Sequence, residues 1–156
     1  MPMSPYVERM RAAVGHELLL LPSATVLPRR DDGAVLLIRH HASEGWETIG
    51  GMVEPGEDPA AAAVREAQEE VGVEVRLGAL LGVVGGPDFV VRYPNGDEVA
   101  YVSAVWEATI VAGEPVADGT EALAVRWFTP AELATADLGP FCRATLGAVG
   151  LYGPEP

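Results

Sequence analysis

The stretch GMVEPGEDPAAAAVREAQEEVGV, residues Gly51 to Val73, carries the strongest structural signals in the chain. It opens as a turn-rich loop and continues as a predicted helix that ends at Val71. Asp58 is typical of a helix N-cap, Pro59 of the first helical position, and Gly72 of the left-handed residue after the last turn. These residues therefore predict a loop that leads directly into a helix with a defined start and end.

Small apolar residues recur along this predicted helix with the i, i+3, i+4, i+7 spacing of a face that packs against a core. The residues on that face are Ala60, Ala63, Val64, Ala67 and Val71. We therefore expect this side of the helix to lie on a sheet.

Three glutamates, Glu66, Glu69 and Glu70, fall on a different arc of the helix, where side chains three and four residues apart are neighbours. The last turn disfavours anions by roughly 0.3–1 kcal/mol each, because the helix dipole is negative there. Close carboxylates also raise one another's pKa unless a cation joins them. The arc is therefore either a divalent metal site with oxygen ligands or a solvated acidic face, which is the commoner role of such side chains.

The spacing of the residues around these glutamates resembles the signature box of the Nudix hydrolases. All seven fixed positions match: Gly51, Glu57, Arg65, Glu66, Glu69, Glu70 and Gly72. Seven specified positions arise by chance with a probability on the order of 10⁻⁸–10⁻⁹ per starting point. Ala67 departs from the family, which usually has a larger aliphatic residue there, and we interpret this as a change in packing. The resemblance implies an α/β/α sandwich with a mixed sheet and a metal-dependent hydrolase.

The resemblance also implies roles for individual residues. The implied metal ligands are three side chains and one backbone carbonyl: Glu66, Glu69, Glu70 and Gly50. Glu57 is expected to act near them or through Arg65, which would hold Glu57 and organise the loop on the helix. The expected ion is Mg²⁺, or Mn²⁺ in its place, because Mg²⁺ prefers oxygen ligands and retains several waters.

The general base is left open by the sequence. Glu69 or Glu70 could activate the attacking water, and a carboxylate from a later loop (Asp97, Glu98 or Glu121) could approach from outside the box. Glu121 is preferred among these three because it stands just before a predicted strand. Its alternative role is that of a solvated residue at a strand edge.

Four residues outside the box are candidates for contact with a substrate. Arg39 ends a predicted strand close to the loop and could bind a phosphate. Trp46, Phe89 and Tyr93 are candidates for stacking on a base, although each is more often a core or rim residue.

The whole chain predicts one α/β domain over residues 1–156, with an N-terminal helix and strand extension at 1–22 and a loose tail at 150–156. A mixed sheet is expected to carry the box helix on one face and a C-terminal helix on another. The run from Ala24 to Arg39 is predicted to form a hairpin. The Asn95-Gly96 pair predicts a second hairpin.

The composition of the chain limits the classes of molecule that it can bind. A net charge of −13 argues against a nucleic-acid polymer, because the chain has no basic stripe to meet the phosphates. No apolar run approaches the ~20 residues of a membrane span, and the single cysteine, Cys142, fits a reducing compartment. We expect a cytoplasmic protein that acts on a small nucleotide substrate. A homodimer using Leu18 to Leu21 is also expected from the family resemblance.

The resulting function hypothesis is a metal-dependent pyrophosphohydrolase that cleaves a nucleoside diphosphate linked to another moiety, as in ADP-ribose-like compounds or nucleotide sugars. The alternative is a house-cleaning (d)NTP pyrophosphohydrolase. A non-catalytic nucleotide sensor is disfavoured because every carboxylate of the box is present. Phosphate-binding P-loop and dinucleotide-binding Gly-rich motifs are absent from the sequence.

Overall fold

The computed structural model describes residues 3–41, 43–120 and 122–153. The helices are α1 (Pro5–Val14), α2 (Pro59–Val71), α3 (Pro130–Leu133) and α4 (Pro140–Ala148), with a short 3₁₀ turn at Pro87–Phe89. The strands are β1 (Leu19–Pro28), β2 (Val35–His40), β3 (Ile49–Met52), β4 (Glu74–Val84), β5 (Val90–Arg92), β6 (Glu98–Ala112) and β7 (Ala122–Phe128).

The strands form two sheets. The larger sheet has the order β3-β1-β6-β4, with β5 also paired to β6, and β2 pairs with β7 in a separate two-stranded sheet. Strand β1 runs parallel to β6 and antiparallel to β3. The predicted α/β class with a mixed sheet is therefore confirmed.

The predicted hairpin between Ala24 and Arg39 is wrong. Strand β1 pairs with β3 and β6, whereas β2 pairs with β7. The turn between β1 and β2 is closed by the bridge from Arg29 to Val35 and by hydrogen bonds from the Arg30 amide to the Ala34 carbonyl and from the Gly33 amide to the Arg30 carbonyl. Residues 35–38 are all buried, because Leu36 and Ile38 pack in the cluster beneath α2 while Val35 and Leu37 pack in the cluster beneath α4. The second predicted hairpin is confirmed, since β5 and β6 pair in antiparallel register.

Helix α2 begins and ends as predicted. The Asp58 side chain accepts a hydrogen bond of 2.8 Å from the Ala60 amide. Gly72 adopts the left-handed conformation with φ 69° and ψ 25°, which a residue with a side chain rarely adopts. These two caps fix the length of the helix at Pro59–Val71.

The predicted apolar face of α2 is rotated from the observed one. Val64 is 39% exposed, so it does not belong to the buried face. The buried residues of the helix are Ala62, Ala63, Glu66, Ala67, Glu70 and Val71. Two of the three glutamates therefore point toward the sheet, against the expectation that all three occupy a separate arc. The helix packs on β1, β3 and β4, and this broad contact buries more of its surface than a single stripe.

Three apolar clusters hold the elements together. The first joins α2 to strands of both sheets and includes Val26, Ile38 and Val71. The second lies beneath α4, where Leu151 and Tyr152 also pack against it. The described part of the predicted tail thus contacts the core, and residues 154–156 lie outside the described residues.

The third cluster ties the predicted N-terminal extension to the larger sheet. Val7 of α1 packs with Leu19 and Leu21 of β1 and with Val99 of β6. Ser4 caps α1 by accepting a hydrogen bond from the Val7 amide. Within the three described ranges, no helix is long and apolar enough to cross a membrane.

Candidate active site

Arg65 is the centre of a network that joins the loop before α2 to the helix. Its Nε and Nη2 donate to the two carboxylate oxygens of Glu57 at 2.8 and 3.0 Å. Its Nη1 donates to Glu66 at 2.7 Å and to Glu69 at 3.0 Å, and Nη2 also donates to the Met52 carbonyl at 3.0 Å. A planar guanidinium can hold this many acceptors because its donors form a rigid fork.

Glu57 closes the loop. Besides its paired contact with Arg65, the carboxylate accepts a hydrogen bond of 3.0 Å from the Glu54 amide. The hydrogen bonds from Arg65 hold the pKa of Glu57 below its usual value, because they stabilise the charged form. Arg65 and Glu57 thus fix the loop on the helix in the manner that the sequence led us to expect.

Glu66 is the most buried carboxylate of the site, with a relative exposure of 1%. One oxygen contacts Arg65, whereas the other, Oε2, has no hydrogen-bond partner. Burial raises the pKa of Glu66 to about 7, with Arg65 opposing that rise and the nearby charges of Glu70 and Glu69 adding to it. A buried carboxylate oxygen without a partner, beside like charges, is a place where a bound cation would be stabilising.

The side chains of Glu66 and Glu70 lie against Gly51 and Gly50 of β3. The carboxylate of Glu66 fills the space that a Cβ on Gly51 would need, so a side chain at residue 51 would displace that carboxylate. Glu70 is 6% exposed. It accepts a 2.9 Å hydrogen bond from the Gly50 amide and lies 3.3 Å from His40 Nε2. Three of the expected site residues, Gly50, Glu66 and Glu70, therefore lie together beside Gly51.

Glu69 occupies the outer side of this group, with its side chain 49% exposed. Within the described ranges, no three His, Cys, Asp or Glu side chains converge closely enough to form a ready metal cluster. The reason is that Arg65 draws Glu66 and Glu69 toward itself, while Glu70 is turned to Gly50. The donor set still fits a hard divalent ion, because it consists of carboxylates with one unpartnered buried oxygen.

A cleft of about 890 Å³ opens beside these carboxylates. At one end it is lined by Gly50, Glu66, Glu69 and Glu70. At the other end it is lined by α1 and by the turn between β5 and β6, including Tyr93 and Asp97. Its volume is in the range of small-molecule sites.

The predicted substrate-contact residues divide between the cleft and the core. Tyr93 lines the cleft. Arg39 instead pairs with Asp137 at 3.2 Å, and Trp46 packs edge-on against Phe128 at 5.0 Å between ring centres. The structure does not bring these two to the cleft.

Phe89 also lies away from the cleft. It is 5% exposed and packs edge-on against Phe141 at 5.3 Å. The candidate base Asp97 is held by His16 at 2.7 Å, Glu98 pairs with Arg92 at 2.9 Å, and Glu121 lies outside the described residues.

Glu47 is a cleft residue that the sequence reasoning did not single out. Burial raises the pKa of Glu47 to about 7, opposed by a hydrogen bond from the Cys142 amide and by the charge of His40. That amide belongs to the first turn of α4. The sequence offered no signal for this contact, because Glu47 and α4 are distant in the chain.

The family comparison agrees with this geometry. The NUDIX domain model matches residues 19–146, so the chain belongs to the Nudix hydrolase family, whose members act on phosphoric anhydride bonds. Nudix hydrolases generally need divalent metal ions.

Among the relatives, a putative 8-oxo-dGTP diphosphatase of Bacillus subtilis is 34% identical over 110 residues, which is 70% of this chain and 67% of that protein. The human diphosphoinositol polyphosphate phosphohydrolase 3-alpha is 46% identical over 54 residues, 35% of this chain and only 33% of its own length.

Solved structures show the same fold. A MutT NUDIX hydrolase from Burkholderia pseudomallei superposes with a TM-score of 0.67 and 26% identity, covering 85% of this chain and 97% of that one. A UDP-X diphosphatase superposes with a TM-score of 0.69 and 19% identity, covering 97% of this chain and 70% of that one, a likeness in fold alone.

Proposed function

We propose that this Nudix domain is a divalent-metal-dependent pyrophosphohydrolase that cleaves a nucleoside diphosphate linked to another moiety, as in ADP-ribose-like compounds or nucleotide sugars. The observation that supports this most directly is the buried Glu66 carboxylate, with one unpartnered oxygen, at the end of an 890 Å³ cleft. A cleft of this volume accommodates a substrate larger than a bare diphosphate.

Four groups would hold the metal in this proposal: the carboxylates of Glu66, Glu69 and Glu70 and the carbonyl of Gly50. The bound ion, Mg²⁺ or Mn²⁺, would neutralise phosphoryl oxygens and acidify a water. Glu69 is free to turn from Arg65 toward Glu66 because its side chain is half exposed. Arg65 keeps its paired contact with Glu57 in that rearrangement, so the loop stays in position.

The general base is proposed among Glu69, Glu70 and Glu121. Asp97 and Glu98 are less suited, since each is engaged by a cationic partner on the far side of the cleft. Replacing Glu121 with Gln tests its part directly. A base role predicts a kcat lower by about 10²-fold or more and loss of the acid limb of the pH–rate profile. An unchanged profile assigns the step to the box carboxylates.

The ligand assignment is tested with Glu69→Gln. Because Glu69 is half exposed, the substitution should leave the fold intact and remove one charged ligand. We expect kcat/KM with Mg²⁺ to fall by about 10-fold or more, in line with the loss of a group that stabilises developing charge. Glu74→Gln, which alters an exposed glutamate at the start of β4, is the matched control. Full metal-dependent activity in Glu69→Gln would contradict the assignment.

A second candidate function is hydrolysis of a (d)NTP, which the name of the Bacillus subtilis relative favours. The two candidates are separated by a screen of nucleotide sugars, ADP-ribose, dinucleoside polyphosphates and all (d)NTPs with Mg²⁺ and with Mn²⁺. Release of a nucleoside monophosphate and a sugar phosphate supports the first candidate. Release of a nucleoside monophosphate and pyrophosphate supports the second.

A homodimer is also proposed, on a narrower basis. Leu18, just before β1, and Leu20, within it, are 54% and 71% exposed, and exposed apolar side chains beside a strand can form an interface. Light scattering of the purified protein tests this. A monomeric mass at micromolar concentration would contradict it.

A further inference from the structure

Positive charge is scarce in the cleft. The chain contains no lysine, so its basic side chains, histidines aside, are ten arginines. Of these, the described residues that line the cleft include Arg11 and Arg65. A phosphate-binding subsite usually needs an arginine or lysine whose hydrogen-bond donors are not already used by the protein. Whether Arg11 and Arg65 have such donors therefore decides where phosphates can bind.

Both Nη atoms of Arg11 are engaged by the protein. It donates to the carbonyls of Gly15 at 3.0 Å, Glu17 at 2.6 Å and Glu98 at 2.8 Å. Its Nε lies 3.4 Å from Asp97, and its side chain is only 10% exposed. Arg11 therefore ties α1 to β6 and presents little positive charge to a ligand. Arg65 is engaged in the same way by Glu57, Glu66 and Glu69.

The end of the cleft that is lined by α1 is rich in aromatic surface. The hydroxyl groups of Tyr93 and Tyr101 are 2.8 Å apart, and Tyr101 packs edge-on against Phe141 at 5.9 Å. All three rings line the cleft, and Val7 of α1 lines it too. Tyr93 is 41% exposed, which leaves ring surface for a ligand. Aromatic faces bind planar bases by stacking, whichever base is present.

We propose that the end of the cleft between Tyr93, Tyr101, Phe141 and α1 binds an uncharged nucleobase, and that all phosphate groups of the substrate lie at the end marked by Glu66 and Glu70. This inference rests on the proposed function, since it assigns the second half of the same cleft. It predicts that a ring bearing several phosphates is a poor ligand. Arg11 and Arg65 are already engaged by protein acceptors and cannot compensate the charge of such a ring.

The test is a calorimetric titration in the presence of Mg²⁺ with ligands that are not hydrolysed. The probes are AMP, GMP, CMP and UMP, compared with ribose 5-phosphate, which carries the same phosphate without a base. We expect at least one monophosphate to bind about tenfold more tightly than ribose 5-phosphate, the scale of one stacked base. myo-Inositol hexakisphosphate serves as the highly phosphorylated probe and should fail to displace that monophosphate.

Variants locate the effect. In Tyr93→Ala the affinity of the monophosphate relative to that of ribose 5-phosphate should fall by about fivefold or more, while ribose 5-phosphate itself binds as before. Tyr93→Phe keeps the ring and should keep most of the advantage. The matched control is Val90→Ala, because Val90 is exposed on β5, the strand that precedes Tyr93, and is not among the residues lining the cleft.

Equal binding of ribose 5-phosphate and all four monophosphates would overturn the inference, as would displacement by inositol hexakisphosphate. A Tyr93→Ala protein that retains the full advantage would also overturn it. Hydrolysis is measured separately. A protein that prefers a base but shows no metal-dependent hydrolysis would overturn the proposed function and support the base subsite. A protein that hydrolyses its substrate but shows no base preference would support the proposed function and overturn the base subsite.

Discussion

Gly51 and the carboxylate of Glu66 lie so close together that a methyl group on residue 51 would overlap the carboxylate. The glycine of the loop and the glutamate of the helix are thus two halves of one packing contact. This explains in steric terms why a glycine stands at the start of the box.

Gly51→Ala should therefore displace Glu66 and reduce activity. We expect kcat/KM to fall by about 10²-fold, the cost of moving a catalytic group by about 1 Å. The control is Gly82→Ala on β4, where an added Cβ would come no closer than 3.9 Å to Val149. Steady-state kinetics and circular dichroism on both variants test this. An active, folded Gly51→Ala protein would show that Glu66 tolerates the shift.

Arg65→Lys should destabilise the loop, because an ammonium cannot reproduce the paired contact with Glu57 while also reaching Glu66 and Glu69. We expect the free energy of unfolding to fall by about 1–3 kcal/mol, the range for hydrogen bonds to charged groups. Arg92→Lys is the control, since Arg92 is 79% exposed and forms a single ion pair, with Glu98, among the residues that the structure describes. Urea denaturation measures both. Equal stability of the two variants would mean that the network contributes little to the fold.

Glu47→Gln should change the pH dependence of stability. Burial raises the pKa of Glu47 to about 7 from 4.5, so the folded state prefers the protonated form. That contribution is fully present below pH 4.5 and is lost as the pH rises through 7. The variant should match the wild type near pH 4.5 and be more stable at pH 8, by no more than about 3 kcal/mol.

Denaturation curves at pH 4.5 and pH 8 measure this difference. A stability difference that is the same at both pH values would show that Glu47 does not titrate between them. The comparison isolates Glu47, because every other ionisable group is shared by the two proteins.

Metal binding should be visible as thermal stabilisation. A ligand at about 100 times its Kd stabilises the folded state by about 2.7 kcal/mol, so Mg²⁺ should raise the Tm of the wild type and of Glu74→Gln. Glu66→Gln should lose most of that rise. Because burial raises the pKa of Glu66 to about 7, protons compete with the ion below that pH and the apparent affinity should fall between pH 8 and pH 6. A rise that is equal in Glu66→Gln would place the ion elsewhere.

The local signals in the sequence were reliable where a residue acts on its own backbone. Asp58 caps the start of α2 and Gly72 caps its end, as predicted, because capping depends on atoms a few residues apart. The buried face was misplaced because alanines give little hydrophobic contrast, and because Glu66 and Glu70 are buried despite their charge.

Contacts between distant residues could not be predicted in the same way. The partners of β1 come from β3 and β6, and no periodicity within β1 identifies them. Trp46 and Phe89 are aromatic like Tyr93, yet of these three only Tyr93 lines the cleft, because Trp46 packs against Phe128 and Phe89 packs against Phe141. Distinguishing a base platform from a core aromatic needs the arrangement of the sheets.

Helix α1 lies before residue 19, where the NUDIX match begins, and yet it forms a wall of the cleft. In the base subsite proposed above, a segment outside the NUDIX match therefore joins three rings inside it, those of Tyr93, Tyr101 and Phe141. A chimaera that exchanges residues 1–18 between relatives would change the pocket for the base without altering the loop and helix of the box. Such a graft must carry Arg11, because its hydrogen bond to the Glu98 carbonyl and its ion pair with Asp97 help the Val7 cluster to dock the segment.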